Sequence, residues 1–423
     1  MNYDHLIVGA GFSGLVLAER LCTQLGRRVL VIDKRPHIGG NAYDHTDRAG
    51  VLIHTYGPHY FRTNSPKIRD YLSQFTEWHP VDYRILSHTH GRYYSFPINL
   101  NTFEQILGRP STSAEMESWL AEKRLPIENP ANSEEVILSQ VGTELYELFF
   151  KGYTLKQWRR HPRDLDPSVC GRIPIRTNRD DRYLREDFQA LPKHGYTKMF
   201  ENIIRACGEN LTLRLNTPYR DILPHIRFRH LAFTGPIDEF FDHRLGRLPY
   251  RSLRFEPQSL TPKDLKSQIS NSPPPTPHSP FPHFEFRIPP NHYQPAMQVN
   301  YPNDHDFTRI VEIKHATGQQ IENTTIVREY PDDFGPGKEP YYPIPAPDTT
   351  ALYKRYRDLA DSPAALAQIP ATCGCRSISF LGRLATYRYY NMDQVTGMAL
   401  HEFETLRGDS SHSDTTTTAD APA

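Results

Sequence analysis

Apolar residues in this chain recur in two different periods, and the change between them divides it. Residues 5–9 (His-Leu-Ile-Val-Gly) form a short apolar run that enters glycines; Leu15, Ala18, Leu21 and Leu25 then recur at helical spacing before a second run, Val29 to Ile32. That order predicts strand, tight turn, helix, strand. From about residue 66 to 205 the spacing is mostly helical. There Asn132, with Glu135 three residues later, reads as a capping box, and Val136, Leu138, Leu145, Leu148 and Phe149 follow it. A helical insert interrupting the first domain is the expectation. Leu211 to Leu215 and Leu231 to Phe233 read as strands, and 246–256, 297–301, 307–315 and 324–330 as β-rich segments separated by turn residues, whose natural assembly is an antiparallel sheet.

Length and charge narrow this picture. A chain of 423 residues exceeds one ordinary core, so two or three domains are expected. Lys plus Arg and Asp plus Glu each total 49, which leaves no broad basic field for nucleic acid. The first strand begins directly after Met1, leaving no room for a secretion signal, and no run of about 18 apolar residues offers a membrane span. Cys22, Cys170, Cys207, Cys373 and Cys375 are odd in number and scattered, unlike a disulfide framework or a zinc site, which fits a reduced, cytoplasmic protein and no bound metal. Nine prolines between 270 and 295 cannot supply the donors of a central strand, so this stretch is read as a surface loop. The tail after Arg407 (408–423) lacks apolar residues to bury and is expected to be disordered.

Candidate chemistry begins with Gly9, Gly11 and Gly14. They form G-x-G-x-x-G between strand and helix, where absent side chains let the backbone approach a pyrophosphate at the helix N-terminus. Phe12 and Ser13 belong to the same turn, and Asp33, followed by Lys34, ends the second strand in position to bind an adenosine ribose. Gly39-Gly40-Asn41 adds the second glycine turn common in FAD proteins. A second cluster holds Phe149, Phe150, Tyr153, Trp158, Arg172, Arg176 and Tyr183; helical spacing makes its aromatic residues a core stripe or a ligand platform, and its arginines phosphate forks or solvated charge. Two further clusters, Thr308-Arg309-Ile310-Val311-Glu312 with Tyr341-Tyr342, and Gly382-Arg383 with Tyr387, Tyr389, Asn391 and Met392, read equally as binding groups or as an outward-charged strand and a tyrosine-rich turn.

Taken together, these clusters resemble the bacterial UDP-galactopyranose mutases. The words that carry the resemblance are Gly-Pro-His-Tyr-Phe (57–61), Thr-Leu-Lys-Gln-Trp (154–158), Arg-Ile-Pro-Ile-Arg (172–176), Gly-Tyr-Thr (195–197), Gly-Pro-Ile-Asp-Glu-Phe-Phe (235–241), Leu-Pro-Tyr-Arg-Ser-Leu (248–253), Thr-Arg-Ile-Val-Glu (308–312), Arg-Glu-Tyr (328–330) and the block 382–393. They occur in the family's order across most of residues 1–400. The resemblance implies a mixed α/β fold: a discontinuous Rossmann-like FAD-binding domain (1–75, 195–250 and 370–405), a mainly helical insert (76–194) with a mobile lid near 165–185, and a twisted antiparallel sheet (250–345). It implies a homodimer, a UDP-sugar substrate, a reductant such as NAD(P)H or a reductase, and catalysis in which reduced flavin N5 bonds to the anomeric carbon while the sugar ring opens and recloses.

By the same resemblance, Arg172 and Arg309 clamp the diphosphate and Tyr183 and Tyr342 hydrogen-bond it. Phe149, Phe150 and Tyr153 hold the uridine, with Tyr153 stacked on uracil, while Trp158 lies near the sugar and Tyr389 near sugar and diphosphate. The FAD would be held by Gly9, Gly11, Phe12, Ser13, Gly14, Asp33, Lys34, Gly40 and Asn41 at one end and by His59, Gly382, Arg383, Tyr389, Asn391 and Met392 at the other. Three departures stand out: Arg62 where the family often has a second histidine, Asn391 where many members have aspartate, and a longer proline-rich stretch. The rival readings are a mutase for another UDP-sugar, such as UDP-N-acetylgalactosamine, and an amine-oxidase-like FAD oxidoreductase, which needs no diphosphate clamp.

Overall fold

A computed structural model of the chain describes residues 1–271 and 286–413. The first apolar runs build a five-stranded parallel sheet in the order Leu211–Arg214, Val29–Ile32, His5–Val8, His230–Phe233, Ser377–Phe380. Its inner strands are continuous apolar runs because both faces are covered, as parallel sheets require. The helix Phe12–Leu25 lies on it, burying Leu15, Val16, Leu17, Ala18 and Leu21, and the helix Met392–Ser413 packs against that helix in turn. The approach is close enough that a Cβ on Gly14 would sit 1.9 Å from the Gly9 carbonyl oxygen. Only glycine permits that contact.

A second sheet of seven strands runs Tyr342–Pro343, Tyr250–Leu260, Thr324–Asp333, Arg309–Val311, Gln298–Asn300, Ile85–Thr89, Arg92–Phe96. It is antiparallel except where Gln298–Asn300 meets Ile85–Thr89. Two of its strands therefore come from the stretch expected to be helical. Within 66–205, Trp78–Pro80, Ile85–Thr89, Arg92–Phe96 and Phe188–Pro192 are strands, and the α-helices are Pro66–Leu72, Leu100–Leu107, Ser113–Lys123, Ser133–Leu145, Gly152–Trp158, Ser168–Gly171 and the start of Tyr196–Cys207, with a π-turn, Tyr146–Lys151, between Ser133–Leu145 and Gly152–Trp158. The hairpin signal was His90-Gly91, both at positive φ (51° and 74°), flanked by alternating residues.

Other expectations need correction in detail. Within 307–315 only Arg309–Val311 is strand; Glu312 turns inward to accept from the Tyr293 and Gln294 backbone N–H groups, and the chain enters the short helix Lys314–Thr317. Asn132 caps its helix by accepting from the Glu135 N–H, but the Glu135 carboxylate accepts from Ala131 N–H instead of completing the box. The last helix continues through Ser413, beyond the expected end of order at Arg407, carried by packing of its first turns. Residues 272–285 of the proline-rich stretch and 414–423 of the tail lie outside the described residues. Among the described residues no helix is long and apolar enough to cross a membrane.

His5 and His230 face each other across neighbouring strands of the parallel sheet, their rings 5.4 Å apart and both buried. His230 Nδ1 meets Ser377 Oγ at 2.8 Å, while His5 Nδ1 and His230 Nε2 find no hydrogen-bond partner among the described residues. Burial lowers their pKa values from 6.5 to about 4 and about 3. Both are therefore neutral in the fold, whereas the unfolded chain takes up protons as the pH drops through 6.5. Falling pH should cost up to about 1.4 kcal/mol of stability per pH unit per histidine between those values. Thermal melts from about pH 7 to about pH 5 test this, and His230→Leu should flatten the dependence.

Candidate functional site

Two cavities meet between the sheets. The first, about 280 Å³, runs along the glycine turn and the end of the second strand, lined by Gly9, Gly11, Phe12, Ser13, Gly14, Asp33, Lys34, Gly40 and Asn41. The helix N-terminus at Gly11 has no side-chain cap, leaving its N–H groups and dipole for an anion. Gly40 approaches so closely that a Cβ there would lie 3.2 Å from Gly11 Cα. Asp33 accepts from the Ala10 and Arg35 backbone N–H groups, which fixes its carboxylate at the cavity edge. A narrow backbone cradle, an uncapped helix and an oriented carboxylate together fit a dinucleotide's pyrophosphate and ribose. At its far end this cavity is lined by His59, Gly382, Arg383, Asn391 and Met392.

The second cavity, about 370 Å³, shares His59, Arg383, Asn391 and Met392 with the first. Its walls bring together Phe149, Phe150, Tyr153, Trp158, Arg172, Tyr183, Arg309, Tyr342 and Tyr389, residues spread over some 240 positions of the chain. The π-turn presents Phe149 and Phe150 and the helix Gly152–Trp158 presents Tyr153 and Trp158. Tyr342 and Tyr389 stack with ring centres 5.2 Å apart. The Arg172 guanidinium lies 4.5 Å from the Tyr389 ring centre and that of Arg383 lies 5.0 Å from it. Of the two cavities, Tyr389 lines the larger one and not the cradle.

The charges here are unequally matched. Arg309 and Glu329 stand directly opposite on adjacent strands and pair at 2.6 Å, with Glu329 buried. Burial works against the Arg309 cation, but Glu329 and the surrounding phenols hold its pKa well above the ordinary value. Arg172 pairs with no carboxylate among the described residues; burial opposes its charge too, and Tyr389 and Tyr183 outweigh it. Arg383 donates to the Tyr390 carbonyl at 2.6 Å and faces the same rings. Burial alone would raise the Tyr389 phenol, yet Arg172 and then Arg383 draw it down to about 8. With the Arg309 and Glu329 charges cancelling, Arg172 and Arg383 leave the aromatic cavity net positive.

Half-buried His59 is pushed down to about 3, first by loss of water around the ring and then by neighbouring His54. Its Nδ1 lies 2.8 Å from the Gly57 carbonyl, which can only accept, so the neutral ring carries its proton on Nδ1 and offers Nε2 as an acceptor. Arg62, at the position of the expected second histidine, pairs with Glu186 at 3.2 Å. The Asn391 N–H donates to Gln394 Oε1 at the start of the last helix. Arg176 lines neither cavity; it braces its own loop through the Arg182 and Asp180 carbonyls. Among the lining residues that the sequence did not single out are Tyr83, Gln298 and Asn300, and behind the wall Glu329 pairs with Arg309. Gln298 and Asn300 were visible as two amides alternating in an otherwise apolar strand, and Glu329 lay within a quoted word without a role.

The family model described as UDP-galactopyranose mutase matches residues 148–271 and 281–389, and one for an NAD(P)-binding Rossmann-like domain matches 7–75. A probable UDP-galactopyranose mutase of Klebsiella pneumoniae is 37% identical over 405 residues, covering 94% of this chain and 93% of that protein. The dTDP-fucopyranose mutase of Escherichia coli is 31% identical, covering 92% and 94%. Among solved structures, a reduced UDP-galactopyranose mutase superposes with a TM-score of 0.68 at 16% identity, over 96% of this chain and 94% of that one, a likeness of fold. Near-complete coverage at this identity, on a chain whose two cavities join a dinucleotide cradle to a cationic aromatic pocket, shows that the protein belongs to the UDP-galactopyranose mutase family.

Proposed function

We propose that the chain interconverts UDP-galactopyranose and UDP-galactofuranose, with FAD along the glycine cradle and the nucleotide sugar in the larger cavity. The observation that carries this reading is the net positive, aromatic-walled cavity at Arg172, Arg309 and Arg383, opening through His59 and Met392 into the cradle. Reduced FAD supplies the nucleophile for the anomeric carbon. The protein's part is binding, charge and exclusion of water.

Arg172 and Arg309 hold the diphosphate in bidentate fashion, and the net positive field left by Arg172 and Arg383 lowers the cost of UDP leaving the sugar. Glu329 keeps the Arg309 fork in one orientation, so little ordering remains to be done on binding. Tyr183, Tyr342 and Tyr389 donate phenol protons to phosphate oxygens. Phe149, Phe150 and Tyr153 enclose the uridine, and burial pushes the Tyr153 phenol up to about 12, so it stays protonated. Trp158 closes the sugar end, and His59, kept neutral, accepts from the cofactor side without adding a charge. Unpaired cysteines support a reducing compartment and the cytoplasm; a homodimer and reduction by NAD(P)H or a reductase complete the reading.

Incubating the FAD-loaded protein with UDP-galactofuranose, with and without dithionite, tests it: chromatography should show UDP-galactopyranose only when the flavin is reduced. No conversion by folded, flavin-loaded protein overturns the substrate assignment. Arg172→Ala and Arg309→Ala should each lower kcat/KM by about 100-fold or more while retaining flavin, because both act on the diphosphate; wild-type turnover in either sinks the clamp. The Tyr389 phenol loses its proton as pH rises through about 8, placing a negative charge beside the diphosphate. UDP affinity should therefore fall above that pH, and Tyr389→Phe should remove the fall.

A further inference from the structure

A hydrogen-bonded chain of three buried side chains lies in the wall of the larger cavity and has no part in the clamp. Tyr83 Oη donates to Gln298 Oε1 at 2.6 Å, and Gln298 Nε2 donates to Asn300 Oδ1 at 2.8 Å. Gln298 and Asn300 are two residues apart on one strand and so share a face. All three are buried and all three line the cavity. Tyr83 is itself held firmly: its ring stacks on Tyr60 at 4.3 Å, and its carbonyl accepts from the Tyr183 N–H at 2.7 Å.

The direction of this chain is determined by chemistry. Tyr83 Oη donates to Gln298 Oε1, and burial, which raises the phenol well above its ordinary range, keeps that proton in place. Gln298 must then present its oxygen to Tyr83 and its NH2 to Asn300, whose oxygen accepts. What remains at the end of the chain is the Asn300 Nδ2 amide, an oriented donor on a cavity-lining residue. Without Tyr83 Oη, either amide could turn over and Asn300 would lose its fixed polarity.

Asn300 stands directly opposite Arg309 on one neighbouring strand and opposite Ser87 on the other, and Ser87 in turn stands opposite Tyr94, whose ring meets Phe149 at 5.4 Å. Asn300 therefore sits between the group assigned to the diphosphate and a group assigned to the uridine. In any nucleoside diphosphate the ribose is the covalent link between those two parts. We infer that Tyr83 and Gln298 are specificity-determining positioning residues, which aim Asn300 at a ribose hydroxyl and so select ribonucleoside over 2′-deoxyribonucleoside diphosphates. This rests on the nucleotide-sugar reading above. The nucleoside is a quantity that varies among relatives, since the Escherichia coli relative is named for a dTDP-sugar.

Titrating UDP and 2′-deoxy-UDP into the FAD-loaded protein at neutral pH tests the inference. The wild type should bind UDP about tenfold more tightly, the usual cost of a polar group built for a partner that is missing. Tyr83→Phe keeps the ring and its stacking, and Gln298→Leu breaks the middle of the chain. Each should shrink the preference to about twofold by weakening UDP while leaving 2′-deoxy-UDP unchanged, which a general loss of stability would not do. A wild-type ratio near one, or an undiminished ratio in both variants, overturns the inference while leaving the nucleotide-sugar reading intact. Binding of neither ligand to the wild type would instead overturn that reading, and this inference with it.

Discussion

Keeping guanidinium groups charged in a cavity away from water is the constraint that organises this protein. Moving a cation out of water is costly unless partners replace its hydration. Here Arg309 receives a carboxylate from the neighbouring strand, whereas among the described residues Arg172 receives aromatic faces and phenols and no carboxylate. The first arrangement preorganises a fork; the second leaves a charge whose natural partner is an anion that comes and goes. A diphosphate fits that requirement, and an amine, itself a cation near neutral pH, does not.

The rest of the architecture serves that arrangement. The parallel sheet and its glycine turn hold the cradle rigid, and the seven-stranded sheet carries Arg309, Glu329, Gln298, Asn300 and Tyr342 on regular strands or at their ends. Lys156 ties the two walls together. Its ammonium donates to the Tyr301, Asp304 and His305 carbonyls, which joins the helix bearing Tyr153 and Trp158 to the loop leading into Arg309. Burial lowers this lysine to about 8, partly offset by the charges of Asp304 and Asp306. Gly152 allows the same loop to approach, since a Cβ there would meet the Pro302 carbonyl oxygen at 2.5 Å.

The departures from the resembled family acquire physical roles in this setting. Arg62 at the cavity edge is neutralised by Glu186, so replacing an imidazole with a guanidinium adds little net charge. Asn391 removes a carboxylate from the region where both cavities meet, which preserves the positive balance set by Arg172 and Arg383.

Local pattern in the sequence determined the elements whose signal is self-contained. The strand, glycine turn and helix at 5–25 were legible because a close backbone approach demands glycine wherever it occurs. The resemblance named the aromatic and arginine residues that the cavity collects. The strands at 78–96 escaped because short alternations were outweighed by the helical spacing around them. The pairing of Arg309 with Glu329 and the chain from Tyr83 to Asn300 join residues separated by 20 and more than 200 positions. No local pattern encodes such partners, since polarity, burial and amide direction exist only once distant strands are side by side. Sequence thus determined which groups were available for the chemistry; the tertiary structure decided which of them are charged, paired and aimed at a ligand, because those properties depend on exclusion of water.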